Sequence, residues 1–322
     1  MKAFWAKIIA FFMAIVAFFT GLFAGGNKPD PQPQPEPTSQ VMVMPREPTT
    51  EPEPPMPPDV PASVIIYQAH RGFSSAYPEN TLAAFRAAGE NGFGCIELDP
   101  AVTKDGQVVV IHDRTVNRTC CNPDGSALAA AAAVSDMTFE ELRLLDAGLS
   151  MGEAFRGERI PLLTEALSLA REYGMKVKID NKVEGFSAAE RALVFAAVAG
   201  FEDTAEFTAK TLAYARTVLE RFPTSSLHYD GPVTEEILAQ LAEVCPKERL
   251  TVWLPLDTPG TAWNTLPKAN AESCALVKYY ARLGLWILTL PEELETARGF
   301  GADIIETPGD LLPPSAAAAT AY

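Results

Sequence analysis

Two of the chain's three histidines directly follow short apolar runs, and each has a charged neighbour: His70 beside Arg71 in "YQAHRG", and His112 beside Asp113 in "VVVIHD". Short β-branched runs read as strands, so both imidazoles are expected at strand ends. Imidazole exchanges a proton near neutral pH, and a pair of them at one reacting centre suits a general base and a general acid. The third, His228 in "SSLHYD", lacks such company and reads as structural.

Carboxylates stand near the same strand ends. Glu97 and Asp99 in "CIELD" are two residues apart, a spacing that turns both side chains to one face of a strand. Two like charges there repel unless a cation lies between them. A hard divalent ion with oxygen ligands meets that need, with Asp180 of "KVKIDNK" as a third ligand from the next parallel strand. Neutralisation by Arg71 and Lys182 without a metal is the alternative. Those two residues suit phosphate, arginine as a planar fork and lysine as a point charge. Acid–base help supplies roughly 10²–10⁴-fold, against about 10⁶–10¹⁷-fold for enzymes at large. Charge neutralisation must therefore carry much of the remainder.

The elements that position these groups alternate strand with helix from residue 63 onward. Eight runs read as strands: "VIIYQ", "CIELD", "QVVVIHD", "KVKID", "SLHYD", "LTVWLP", "LWILTL" and "ADIIET". That alternation implies a parallel sheet, and about eight strands over residues 63–322 favour an α/β fold of the TIM (β/α)8 barrel type. No G-x-G-x-x-G follows the first strand, which argues against an open dinucleotide-binding sheet. A barrel gathers its active site at the C-terminal strand ends, where the residues above fall. The long connection from His112 to Pro161 is expected to be an insertion, about 114–160, acting as a lid or binding segment.

Ahead of the barrel, Lys2 and Lys7 precede an apolar run from Ile8 to Ala24, so residues 1–26 read as a signal peptide or membrane anchor. Residues 27–62, rich in Pro and Glu, read as a linker. The expected location is extracytoplasmic, either anchored or secreted. A formal net charge of -15 argues against a nucleic-acid partner. Five cysteines without a CxxC pair make a zinc site improbable. Cys95, Cys245 and Cys274 read as small core residues, whereas adjacent Cys120 and Cys121 leave their redox state open.

"HRGFSSAYPENTLAAF", "ELDPAVTKDGQVVVIHDRTVNRT", "IPLLTEAL" and "DNK" together resemble the glycerophosphodiester phosphodiesterase family in order and spacing. The resemblance implies a TIM barrel, a Ca²⁺ or Mg²⁺ cofactor, and hydrolysis of glycerophosphodiesters to glycerol 3-phosphate and an alcohol. It assigns metal binding to Glu97 and Asp99, catalysis to His70 and His112, and phosphate binding to Arg71 and Lys182. Where that family carries E-x-K, this chain has Asp180-Asn181-Lys182, one methylene shorter at the ligand. "LWILTL" matches the family's W-T-x-N stretch only in part, which makes Trp286 a candidate wall of the substrate cleft. Two other readings stand beside this one: a phospholipase of the phosphatidylinositol or sphingomyelin type, and a cell-surface binding module with a decayed site.

Overall fold

The computed structural model describes residues 64–256 and 268–314. The apolar N-terminal run and the linker at 27–62 lie outside the described residues. Among the described residues, no helix is long and apolar enough to cross a membrane.

The described residues form ten strands: β1 (Ile66–Ala69), β2 (Cys95–Leu98), β3 (Pro100–Val102), β4 (Val108–Val110), β5 (Lys176–Ile179), β6 (Ala205–Ala209), β7 (Leu227–Tyr229), β8 (Leu250–Pro255), β9 (Arg282–Trp286) and β10 (Ile304–Thr307). Eight of them close a parallel barrel in the order β1-β10-β9-β8-β7-β6-β5-β2. The expected α/β barrel is therefore the observed fold. Helices follow the strands on the outside. The first, α1 (Leu82–Glu90), starts where Thr81 caps it, accepting from the Ala84 N–H at 3.3 Å, and it buries Ala84, Phe85 and Ala88.

The identity of the eight barrel strands differs from the sequence reading at two places. "VVVI" is not in the barrel: β4 pairs antiparallel with β3, Pro100 against Val110 and Val102 against Val108. The cause is the turn at Asp105-Gly106. Gly106 has φ +78°, and the Thr103 N–H donates to the Gln107 carbonyl at 2.9 Å, so the chain reverses within a few residues. A parallel return needs a crossover of a dozen residues or more, which that turn excludes. The missing barrel strand is β6, "AEFTA". Its Glu206 and Thr208 break the apolar run, and Glu206 is bonded to His228 at 2.8 Å. The structural reading of His228 agrees with its surroundings: it is buried, with Nδ1 accepting from Trp253 Nε1 at 2.9 Å.

The hairpin opens the insertion, which therefore begins at Pro100. It has its own small core, formed by Val109, Ile111, Val116, Val134, Leu142 and Ile160, separate from the barrel core. Asp146 organises its far loop, accepting from the N–H groups of Gly148, Leu149 and Gly157 at 2.8–2.9 Å. All five cysteines are free, with Cys95, Cys245 and Cys274 buried as expected.

Candidate active site

The carboxylates predicted from spacing converge. Glu97 sits at the end of β2, Asp99 one residue beyond it, and Asp180 just past β5, the strand that pairs with β2. Each offers an oxygen, and the three oxygens lie within 4.8 Å of one another. Asp180 keeps its place by accepting the Lys182 N–H at 2.9 Å, so its shorter side chain still reaches the cluster. Burial pushes the Glu97 carboxyl well above its ordinary range, and the charges of Asp99, Glu306 and Asp180 push it further. Burial works the same way on Asp99, but Lys182 and Arg71 outweigh it and hold that carboxyl below its ordinary value. This all-oxygen, negatively charged set fits a hard divalent cation.

The turn after β1 is built around the cluster. Arg71 adopts φ +56° and its N–H donates to Glu97 Oε2 at 3.0 Å. Gly72, at φ +79°, presses against α1 so closely that a Cβ would meet that of Ala84 at 2.8 Å. "PENT" closes the arrangement. Asn80, also left-handed at φ +58°, donates its N–H to the Arg71 carbonyl and its Nδ2 to Asp99 Oδ2 at 2.8 Å. Arg71 in turn reaches Glu79 at 3.1 Å and Asp99 at 3.5 Å.

His70 and His112 approach from different bodies. His70 follows β1 and its Nε2 lies 3.9 Å from Glu306 Oε1. Burial lowers its proton affinity, with Glu306 acting in the opposite direction. His112 follows the hairpin, and its Nδ1 pairs with Asp113 Oδ1 at 2.6 Å. Arg118 forks between two carboxylates, with Asp113 at 2.6 and 3.1 Å and Glu79 at 2.7 and 2.8 Å. A continuous chain of polar contacts thus runs Arg71, Glu79, Arg118, Asp113, His112. Arg118 and then His112 hold the Asp113 carboxyl far below its ordinary value.

These groups open on a cavity of about 450 Å³ at the barrel mouth. Its wall includes His70, Arg71, Glu97, Asp99, His112 and Asp180, together with Trp286 from the end of β9. Lys182 reaches the cluster from outside that wall, with Nζ 2.7 Å from Asp99 Oδ1 and 2.9 Å from the His112 carbonyl.

Sequence reasoning missed several members. Lys178, two residues before Asp180 and in register with Glu97, is buried and pairs with Glu306 Oε2 at 2.9 Å over the Trp253 ring. Gln68 also donates to Glu306. The period-2 rule that found Glu97 and Asp99 also links Lys178 to Asp180, and it was the signal available. Asp230 lines the mouth and accepts from Asn181 Nδ2 at 2.8 Å. Its carboxyl is pushed up to about 6 by burial, with Lys178 opposing and Asp180 and Glu306 adding to the rise.

A family model described as the Glycerophosphoryl diester phosphodiesterase family matches residues 70–251. A glycerophosphodiester phosphodiesterase of Caldanaerobacter subterraneus subsp. tengcongensis is 50% identical over 114 residues, 35% of this chain and 44% of that protein. The protein YqiK of Bacillus subtilis is 30% identical over 202 residues, 54% of this chain and 80% of that protein. The first two curated relatives are thus matched over less than half of their own length, 44% in each case. A phosphodiesterase of Oleispira antarctica, solved with the product sn-glycerol-3-phosphate, shares the fold with a TM-score of 0.60 and 20% identity, covering 77% of this chain and 94% of that one.

Proposed function

The chain belongs to the glycerophosphoryl diester phosphodiesterase family, and from that premise we propose that it hydrolyses glycerophosphodiesters to glycerol 3-phosphate and an alcohol. The observation that carries this reading is the meeting of Glu97, Asp99 and Asp180 within 4.8 Å in a mouth bordered by both His70 and His112.

Glu97, Asp99 and Asp180 would hold a divalent cation, Ca²⁺ or Mg²⁺ by their oxygen chemistry, and that ion would neutralise charge on the phosphate. Arg71 offers the phosphate oxygens a guanidinium already oriented by Glu79 and Asp99. Lys182 adds positive charge from the Asp99 side, and Trp286 walls the cleft. One imidazole takes the proton of the attacking hydroxyl and the other returns a proton to the departing alkoxide; water as the attacker gives glycerol 3-phosphate directly, whereas the glycerol's own hydroxyl gives a cyclic phosphate whose ring P–O bond a water then opens. The apolar run ahead of a Pro/Glu-rich stretch supports an extracytoplasmic location, which fractionation of expressing cells tests.

The decisive experiment supplies purified protein and Ca²⁺ or Mg²⁺ with a panel of deacylated glycerophosphodiesters and measures glycerol 3-phosphate. Release is expected, with His70→Ala and His112→Ala each lowering it at least 10²-fold. Both variants retaining the wild-type rate would overturn the catalytic assignment. Consumption of intact phospholipid in place of the deacylated diesters would overturn the substrate.

A further inference from the structure

A second concavity, about 490 Å³, opens beside the barrel mouth and shares His112 with it. One wall comes from the hairpin through Ala101 and Ile111, the other from the segment after β5 through Gly185 and Phe186, and Val134 of the insertion contributes too. Lys182 ties this groove to the acidic cluster, since it lines the groove while its Nζ bonds Asp99 and the His112 carbonyl. The two cavities therefore meet at the place where the phosphate is expected.

Their chemistry differs. The mouth presents Asn181, Lys210 and Asp230, groups able to bond the hydroxyls of a glycerol. The groove's exposed lining is mostly hydrocarbon, with Asp113, Arg114 and Glu190 also on its wall. Two ester substituents diverge from a tetrahedral phosphorus, so a diester bound at the cluster sends one arm into each cavity. We propose that the groove receives the alcohol that leaves, and that it favours glycerophosphodiesters whose alcohol carries a hydrocarbon body over those ending in a second small polyol. This rests on the diester hydrolysis proposed above. With the alcohol seated there, its ester oxygen lies beside His112. The attacking hydroxyl forms the new P–O bond and gives its proton to His70, the old P–O bond breaks, and the alkoxide takes its proton from His112.

The test uses the full chain with Ca²⁺ and a series of glycerophosphoalkanols (methyl, propyl, hexyl) beside glycerophosphoglycerol. The expected result is a kcat/KM that climbs about fourfold per methylene until the groove is full. Gly185→Phe supplies the second arm: Gly185 lines the groove, and a Cβ there meets nothing within 4 Å, so a side chain can leave the backbone at that point without a clash. It should lower the hexyl-to-methyl ratio of kcat/KM at least tenfold. Turnover that ignores chain length, or a variant that leaves the ratio unchanged, overturns the groove assignment alone. Absence of turnover on every diester overturns the hydrolase reading and the groove assignment with it.

Discussion

Lys182 and Asp99 form an ion pair of 2.7 Å at the seam between the barrel and the segment carrying His112. Asp99 is almost fully buried, and its other oxygen is taken by Asn80, so the ammonium occupies the oxygen a divalent cation would share. Lys182→Met should therefore bind Ca²⁺ more tightly in calorimetric titration, because a competing positive charge is gone. Turnover should nonetheless fall about 10²-fold, since charge that stabilises the transition state is lost. Weaker Ca²⁺ binding by the variant would contradict this account.

Metal should also be visible in stability. Burial and neighbouring negative charge raise the proton affinity of the Glu97 carboxyl, so a cation and a proton compete for it. Affinity is expected to rise with pH, and titrations in buffers of different ionisation enthalpy should reveal the released proton. At a hundredfold excess over Kd the ion should add about 2.7 kcal/mol to folding stability. Chelator should reverse both the Tm gain and the activity, and activity unaffected by chelator would remove the metal from the reaction.

Arg118 touches neither the acidic cluster nor the mouth wall, yet it holds the carboxylates that orient Arg71 and His112. Arg118→Ala should leave Glu79 and Asp113 without their shared cation and lower kcat about 10- to 100-fold, with little change in metal affinity. Arg118→Lys should recover only part of the loss, because a point charge cannot fork between two carboxylates. A wild-type rate for Arg118→Lys would show the fork geometry to be dispensable, and a wild-type rate for Arg118→Ala would remove Arg118 from the account.

Asp230 gives a pH-dependent expectation. An acid whose folded value is raised stabilises the folded state below its unfolded value, near 4, and that contribution disappears as pH rises through about 6. In metal-free buffer, Asp230→Asn should therefore gain on the wild type by roughly 2 kcal/mol between pH 4 and 7.5. Parallel melting curves for the two proteins across that range would refute it.

What the sequence revealed follows from where its signals are local. Glu97 and Asp99 share a face through strand periodicity alone. The error over "VVVI" arose because a buried hairpin strand and a buried barrel strand share a composition. The Asp105-Gly106 pair was the available discriminator. Glu306 and Lys178 escaped notice because their meaning lies in a closure that joins β10 to β1 and β5 to β2, and so brings together two residues far apart in the chain. Asn80 and Glu79 were visible as part of a motif, but their task, fixing Asp99 and Arg71, depends on a left-handed backbone that only the folded turn displays.

The insertion packs around its own hydrophobic cluster while the barrel packs around another. One of the two imidazoles proposed for proton transfer is thus fastened to each block, and their spacing depends on the joint between the blocks as well as on either interior. Substitutions beneath that joint, far from any substrate atom, should alter the rate while leaving the melting temperature where it was.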